Sequence, residues 1–188
     1  MKKLLSFVLA LSLMTVMTAC SEKETESQTS SEETTSIAAE ETSSDDINNG
    51  SSELPEGVTF AQYLLEDFKG IVSENPDMSA EEIAAGLSAN EAILFSSMSM
   101  PVEPGLLAGF TEEIQGFESA SMFGPAMGSI AFIGYVFELS DEGAAKSFAE
   151  TLKGCADPRW QICVEAEETV CEAVGNKVFF VMAPLSNQ

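Results

Sequence analysis

The chain has 188 residues, with 31 acidic and 8 basic side chains, no histidine, and a net charge of −23 at pH 7. This charge excludes nucleic acid as a partner, because binding phosphate groups requires clustered cations. The lack of histidine excludes Ser-His-Asp and Cys-His nucleophiles and removes the commonest zinc ligand. No phosphate-binding loop, dinucleotide fingerprint or calcium loop occurs either. We therefore predict no catalytic residues, no metal site and no cofactor.

The N-terminus has the layout of a signal peptide. Two lysines precede an uncharged, mostly apolar run of 16 residues, 4–19. This run is shorter than the roughly 20 residues that a spanning helix needs. Its end, Met17-Thr18-Ala19-Cys20, resembles the lipobox of bacterial lipoproteins, with Met in place of the usual Leu. The resemblance implies that residues 1–19 are removed and that Cys20 is lipidated. An ordinary signal peptide with an incidental cysteine is the alternative, and the polar residues that follow weigh against it.

A lipid on Cys20 would hold the protein on the outer face of the cytoplasmic membrane. Two or more acyl chains give durable anchoring, since each buried methylene contributes about 0.8 kcal/mol. Residues 20–55 are rich in Ser, Thr and Glu. Their low apolar content and high charge predict a disordered tether that spans roughly 33 Å.

Residues 56–188 have the size of one domain, with 21 acidic and 5 basic side chains. An anionic membrane surface would repel this domain, which leaves the lipid as the expected membrane contact.

Two helices are predicted at the start of the domain. Thr59 with Gln62, and Ser79 with Glu82, have the spacing of a capping box. Apolar residues at helical spacing follow each box. The first helix should end at Asn75-Pro76.

The middle of the domain is harder to assign. Residues 92–97 fit either a strand or a continuation of the second helix. Residues 98–128 are rich in Met, Gly and Pro and favour no single element. The uncharged run 119–137 contains too many Ser, Gly and Pro residues for a membrane helix, and acidic residues flank it.

The clearest strand covers residues 129–138. Apolar side chains occupy both of its faces, which predicts a central strand covered on both sides. One face carries Ile130, Phe132 and Val136, and the other carries Ile133, Tyr135 and Phe137. Ser140 is then expected to cap a helix that ends at Lys153-Gly154.

The C-terminal part predicts more strands. Residues 160–164 alternate like a short strand. Residues 169–174 and 177–182 flank Gly175-Asn176, the signal of a two-residue hairpin. Position 171 should then lie opposite position 180. One hairpin face is apolar and should point to the core, with Cys171, Ala173, Val178, Phe180 and Met182. The whole domain is therefore expected to be α+β, a mostly antiparallel sheet with helices packed on it.

Three cysteines follow position 20: Cys155, Cys163 and Cys171. A secreted location permits a disulfide. Cys171 should point inward, so we favour the pair Cys155–Cys163. Closing a loop of about nine residues would add about 2.6 kcal/mol on the chain-entropy model. Three buried, reduced thiols are the main alternative, and a reactive Cys163 is a further one, although no nearby Lys or His would activate its thiol.

Four methionines cluster at positions 98, 100, 122 and 127. Core packing is the main interpretation of these side chains. An interaction surface or a Cu(I) site with thiolate and thioether ligands are the alternatives.

One segment of the domain resembles a known family. Residues 157–184, DPRWQICVEAEETVCEAVGNKVFFVMAP, contain the pair Arg159-Trp160 and the hairpin signal at Gly175-Asn176. With the lipobox and the tether, they resemble small lipoproteins of anaerobic Gram-positive (clostridial) bacteria. The resemblance implies a surface location and an uncharacterised C-terminal domain. The resemblance implies no activity and identifies no site residues.

The leading hypothesis is a lipid-anchored, non-enzymatic binding or accessory module with an unidentified protein or small-molecule ligand. A small wall-glycan hydrolase that uses paired carboxylates is the first alternative. A thiol or thioether metal-binding module is the second.

Overall fold

The computed structural model describes residues 53–187, and they belong to one compact unit. The signal peptide predicted for residues 1–19, the lipidated Cys20 and the tether as far as residue 52 lie outside the described residues.

The domain is built on a five-stranded antiparallel sheet with the order β1-β2-β3-β5-β4. Three helices pack against it, which confirms the predicted α+β class. The strands are β1 (Ser97–Pro101), β2 (Ser119–Pro125), β3 (Ile133–Glu138), β4 (Glu168–Val174) and β5 (Lys177–Ala183), and the helices are α1 (Phe60–Glu74), α2 (Ala80–Ser88) and α3 (Glu142–Cys155).

Each face of the sheet carries its own apolar core. Helices α1 and α2 cover one face, where Phe68 of α1 and Phe179 of β5 stack with ring centroids 5.2 Å apart. Helix α3 and the segment 102–118 cover the other face, where Phe148 of α3 meets Phe137 of β3 at 5.1 Å. The sheet is therefore the middle layer of three.

Helices α1 and α2 start at the predicted capping residues, but only one of the two capping boxes is complete. Thr59 caps α1 by accepting a hydrogen bond from the backbone N–H of Gln62 (3.3 Å). The Gln62 side chain does not complete a capping box, because it donates to Glu168 on β4 (3.1 Å). The box of α2 is complete, since Ser79 and Glu82 each bond the other's backbone N–H.

Both ends of α3 differ from the prediction. Asp141, not Ser140, is the N-cap, and its carboxylate accepts from Ala144 N at 2.9 Å. A carboxylate is favoured there by the positive end of the helix dipole. Gly154 lies inside the helix, which continues to Cys155 because that side chain is buried in the core.

Strand β3 is central and covered on both faces, as predicted. It starts at Ile133 rather than at residue 129, since a tight turn from Phe132 N to Ile130 O (2.7 Å) precedes it. Phe132 and Val136 nevertheless belong to the α1–α2 core, and Tyr135 belongs to the α3 core.

The C-terminal hairpin is confirmed in register and in orientation. Cys171 lies opposite Phe180, and Gly175 in the turn has φ +60°. The predicted inward face packs in the α3 core. Residues 160–164, in contrast, are not a strand but a tight turn, closed by an isolated bridge between Gln161 and Val164. That strand prediction was wrong.

The middle of the domain contains two strands of the sheet, β1 and β2. Residues 92–96 are neither strand nor helix, since α2 ends at Ser88 and β1 begins at Ser97. The unassigned stretch 98–128 holds most of β1 and all of β2, joined by an irregular segment. The uncharged run 119–137 is divided between β2 and β3. None of the helices between residues 53 and 187 combines the length and apolar character that a membrane crossing needs.

Candidate functional site

A cleft with an apolar inner part opens beside the start of α1. Its inner part is a cavity of about 200 Å³, lined by the apolar residues Phe60, Leu94, Phe95, Ile130 and Pro184 together with Ser186 and Asn187. A wider cavity of about 580 Å³ shares Leu94, Ser186 and Asn187 with it and is also lined by residues 53–58 and Leu185. We call the two cavities together the α1 cleft. Its wider part alone falls in the usual size range of small-molecule sites, about 300–1,000 Å³.

Aromatic rings form the floor of the α1 cleft. Phe60 and Phe95 each contact Phe132, with ring centroids 5.3 Å apart in both pairs. Phe132 in turn meets Phe123 of β2 edge-on at 5.8 Å. Phe60, Phe123 and Phe132 are fully buried in the α1–α2 core. The floor is therefore continuous with that core and should be rigid.

Hydrogen bonds hold the walls of the cleft in place. The backbone N–H of Phe60 donates to Leu185 O (3.0 Å), and the N–H of Leu185 donates to the Glu167 carboxylate (3.1 Å). The Asn187 side chain donates to Ala92 O (3.1 Å). The C-terminal segment is thus tied both to α1 and to the loop before β1. The cleft is preformed, which lowers the ordering cost of binding a ligand.

Two large apolar side chains at the cleft are half exposed. Leu94 exposes 51% of its surface and Leu185 exposes 49%. Exposed apolar surface next to a cavity is typical of binding sites. None of these residues was predicted as a site. In the sequence, the one indication of this site is that Leu94 and Leu185 are apolar but belong to no predicted helix or strand with a periodic pattern.

Among the described residues, all the basic side chains are paired, whereas many acidic side chains are not. Each of the five Lys and Arg side chains in residues 53–187 forms a salt bridge with a glutamate. The pairs are Lys69 with Glu66 and Glu172, Lys146–Glu142, Lys153–Glu150, Arg159–Glu165 and Lys177–Glu138. Glu53 and Glu56 line the wider part of the α1 cleft. An anionic ligand would find no uncompensated cation in this part of the chain.

A second polar feature, the Glu138 cluster, links three strands at the end of the sheet. Lys177 donates to Glu138 Oε1 (2.9 Å), and Ser119 donates to Oε2 (3.0 Å). The Lys177 side chain is 2% exposed and the Glu138 side chain 26%. Burial opposes ionisation of Glu138, yet the hydrogen bonds from Lys177 and Ser119 outweigh it and hold the pKa below its usual value. A carboxylate with a lowered pKa is a poor general base for Ser119, so we assign the cluster a structural role.

The three cysteines are free thiols in the structure, so the predicted Cys155–Cys163 bond is not formed in it. Cys155 is buried at the end of α3, where its thiol donates to Thr151 O (3.1 Å) and burial raises its pKa. Cys163 is exposed in the turn 161–164. Burial also raises the pKa of Cys171, to about 12. The two buried thiols are therefore poor nucleophiles at neutral pH.

The methionines do not form the predicted packed cluster. Met100 lies opposite Met122 in the β1–β2 pair, and Met122 packs against the α3 core. Met98, Met100 and Met127 are exposed, so the core interpretation was wrong for them. Within residues 53–187, no group of three or more His, Cys, Asp or Glu side chains is placed to hold a metal ion.

Three carboxylates, those of Glu74, Asp77 and Glu82, line a separate cavity of about 410 Å³. A glycosidase needs one carboxyl with a raised pKa as its general acid. Glu82 is the reverse case, because hydrogen bonds from Ser79 lower its pKa in the capping box of α2. This cavity therefore does not favour the hydrolase hypothesis.

Comparisons with family models, with curated proteins and with solved structures gave no match to this chain.

Proposed function

We propose that the protein is a cell-surface lipoprotein, held on the outer face of the cytoplasmic membrane by a lipid on Cys20. Residues 56–188 are then a non-enzymatic binding domain with its ligand site in the α1 cleft. The lipobox resemblance at residues 17–20 and the apolar leader support the anchor. The preformed cleft with its apolar inner cavity is the observation that carries the binding function.

The chemistry of the cleft favours binding over catalysis. Its inner cavity is lined mainly by aromatic and aliphatic side chains, with Ser186 and Asn187 as polar members. The wider part adds Glu53 and Glu56, both exposed to solvent. An apolar cavity with a few polar groups is typical of a recognition site.

A neutral fluorescent probe tests this proposal. N-phenyl-1-naphthylamine should bind residues 20–188 carrying Cys20→Ser, a form without lipid or detergent, in a saturable manner at one site. Leu94→Asn should weaken binding about tenfold, because it removes apolar contact area from both cavities of the cleft. Fluorescence titration gives the dissociation constants.

Leu106→Asn is the matched control, since Leu106 is 69% exposed and lines neither cavity of the cleft. It should leave probe binding unchanged. Thermal melts of both variants check that folding is intact. Non-saturable binding, or equal losses in the two variants, would refute a ligand site in the α1 cleft.

A further inference from the structure

We infer that the α1 cleft takes small cationic amphiphiles, meaning an aryl or short alkyl group that carries an ammonium. This inference rests on the proposed binding function and names its ligand class. It combines the size of the inner cavity, the apolar lining of that cavity and the carboxylates of the wider one.

The inner cavity sets the size of the apolar group. At about 200 Å³, it is larger than the engineered cavity of about 150 Å³ that holds benzene in another protein. A phenyl ring with a short methylene chain therefore fits. Phe95, which is partly exposed, offers its aromatic ring to such a group.

The wider cavity favours a positive charge on the polar end of the ligand. Leu94 lines both cavities, so a ligand whose apolar part occupies the inner one extends toward Glu53 and Glu56. Neither carboxylate forms a salt bridge with a cation of the described residues. A bound ammonium would gain their attraction, and a bound carboxylate would be repelled.

Three ligands with the same apolar group test the inference: 4-phenylbutylammonium, 4-phenylbutanol and 4-phenylbutanoate. Each is titrated into ¹⁵N-labelled residues 20–188 carrying Cys20→Ser, and amide shifts report both affinity and location. At low salt we expect the ammonium to bind about fivefold tighter than the alcohol and about twentyfold tighter than the carboxylate. The preference should shrink at 0.5 M salt, where ionic screening extends only a few ångströms (~4 Å).

Matched charge variants locate the effect. Glu53→Gln with Glu56→Gln should bring the ammonium to the affinity of the alcohol. Glu74→Gln with Asp77→Asn removes the same charge from the separate acidic cavity, and it should leave the preference in place.

The outcomes separate the two proposals. If all three ligands shift the cleft amides with equal affinity, the cleft binds apolar groups but the cationic preference is overturned. If the preference survives loss of Glu53 and Glu56, the assigned carboxylates are wrong and the inference is again overturned. If no ligand shifts amides of the cleft, the proposed function fails with it.

Discussion

Gly134→Ala should destabilise the domain by about 3 kcal/mol, at the upper end of the usual cost of overpacking a core. A Cβ at Gly134 would lie 2.2 Å from Cζ of Phe123, with two more ring carbons within 2.7 Å. Gly134 sits in the central strand, with its register fixed by β2 and β5. The Phe123 ring is fully buried and contacts Phe132 and Phe179, so it has no free space to move into. Glycine within a strand here marks a close approach of a ring.

Chemical denaturation followed by circular dichroism measures this loss. Gly124→Ala is the control, because a Cβ there meets no atom closer than 3.8 Å. It should change stability far less. Phe123→Leu together with Gly134→Ala should be less destabilised than the sum of the two single changes. If Gly134→Ala were as stable as the wild type, Phe123 would not pack closely against Gly134 of β3.

Lys177→Met should cost about 2–3 kcal/mol at pH 7, somewhat less than the 3–5 kcal/mol typical of breaking a fully buried ion pair. The ammonium is enclosed, and its removal leaves the Glu138 carboxylate without its cation. We expect a smaller loss of stability than for a fully buried pair because the Glu138 side chain is 26% exposed. Replacing both residues, by Lys177→Met with Glu138→Leu, should recover part of the loss, since no uncompensated charge then remains.

The loss in Lys177→Met should depend on pH. The folded-state pKa of Glu138 lies below the ordinary value of 4.5, so the pair stabilises the protein above that value. This contribution disappears as the pH falls through the lowered pKa. The difference between wild type and variant should therefore be largest near pH 7 and shrink below about pH 4.

Lys146→Met is the matched control for this pH series. It breaks the pair with Glu142 on α3, in which both side chains are exposed. It should have little effect at any pH, because water screens such pairs. Equal losses in the two lysine variants would contradict the buried role of Lys177.

Local signals in the sequence predicted the parts of the fold that depend on local rules. The two-residue turn at Gly175-Asn176 fixes the hairpin register, so the pairing of Cys171 with Phe180 followed from counting. Capping spacings located α1 and α2 in the same way. The two apolar faces of β3 were enough to identify the central strand.

Other parts depend on non-local packing and could not be predicted. Strand β2 contains Ser, Gly and Pro, which have low strand propensity, and it is stabilised by pairing with β1 and β3. Residues 160–164 alternate in polarity, yet the turn leaves Ile162 and Cys163 exposed at its tip. Alternation alone does not distinguish a strand from such a turn.

The α1 cleft could not be predicted from the sequence either, because it too depends on non-local packing. Its lining comes from residues 53–58, Phe60, the loop at Leu94-Phe95, Ile130 and residues 184–187. These pieces are far apart in the chain, and no window contains two of the main walls. Only the fold of the sheet and α1 brings them together.

The surface-anchored account depends most on the chemistry of Cys20, and mass spectrometry of protein extracted from the membranes of producing cells tests it. We expect a mature N-terminus at Cys20 whose mass includes a thioether-linked diacylglycerol, and loss of the protein from the membrane fraction in a Cys20→Ala variant. An unmodified Cys20, or a chain that still carries residues 1–19, would contradict the anchor and leave the binding domain without its proposed location.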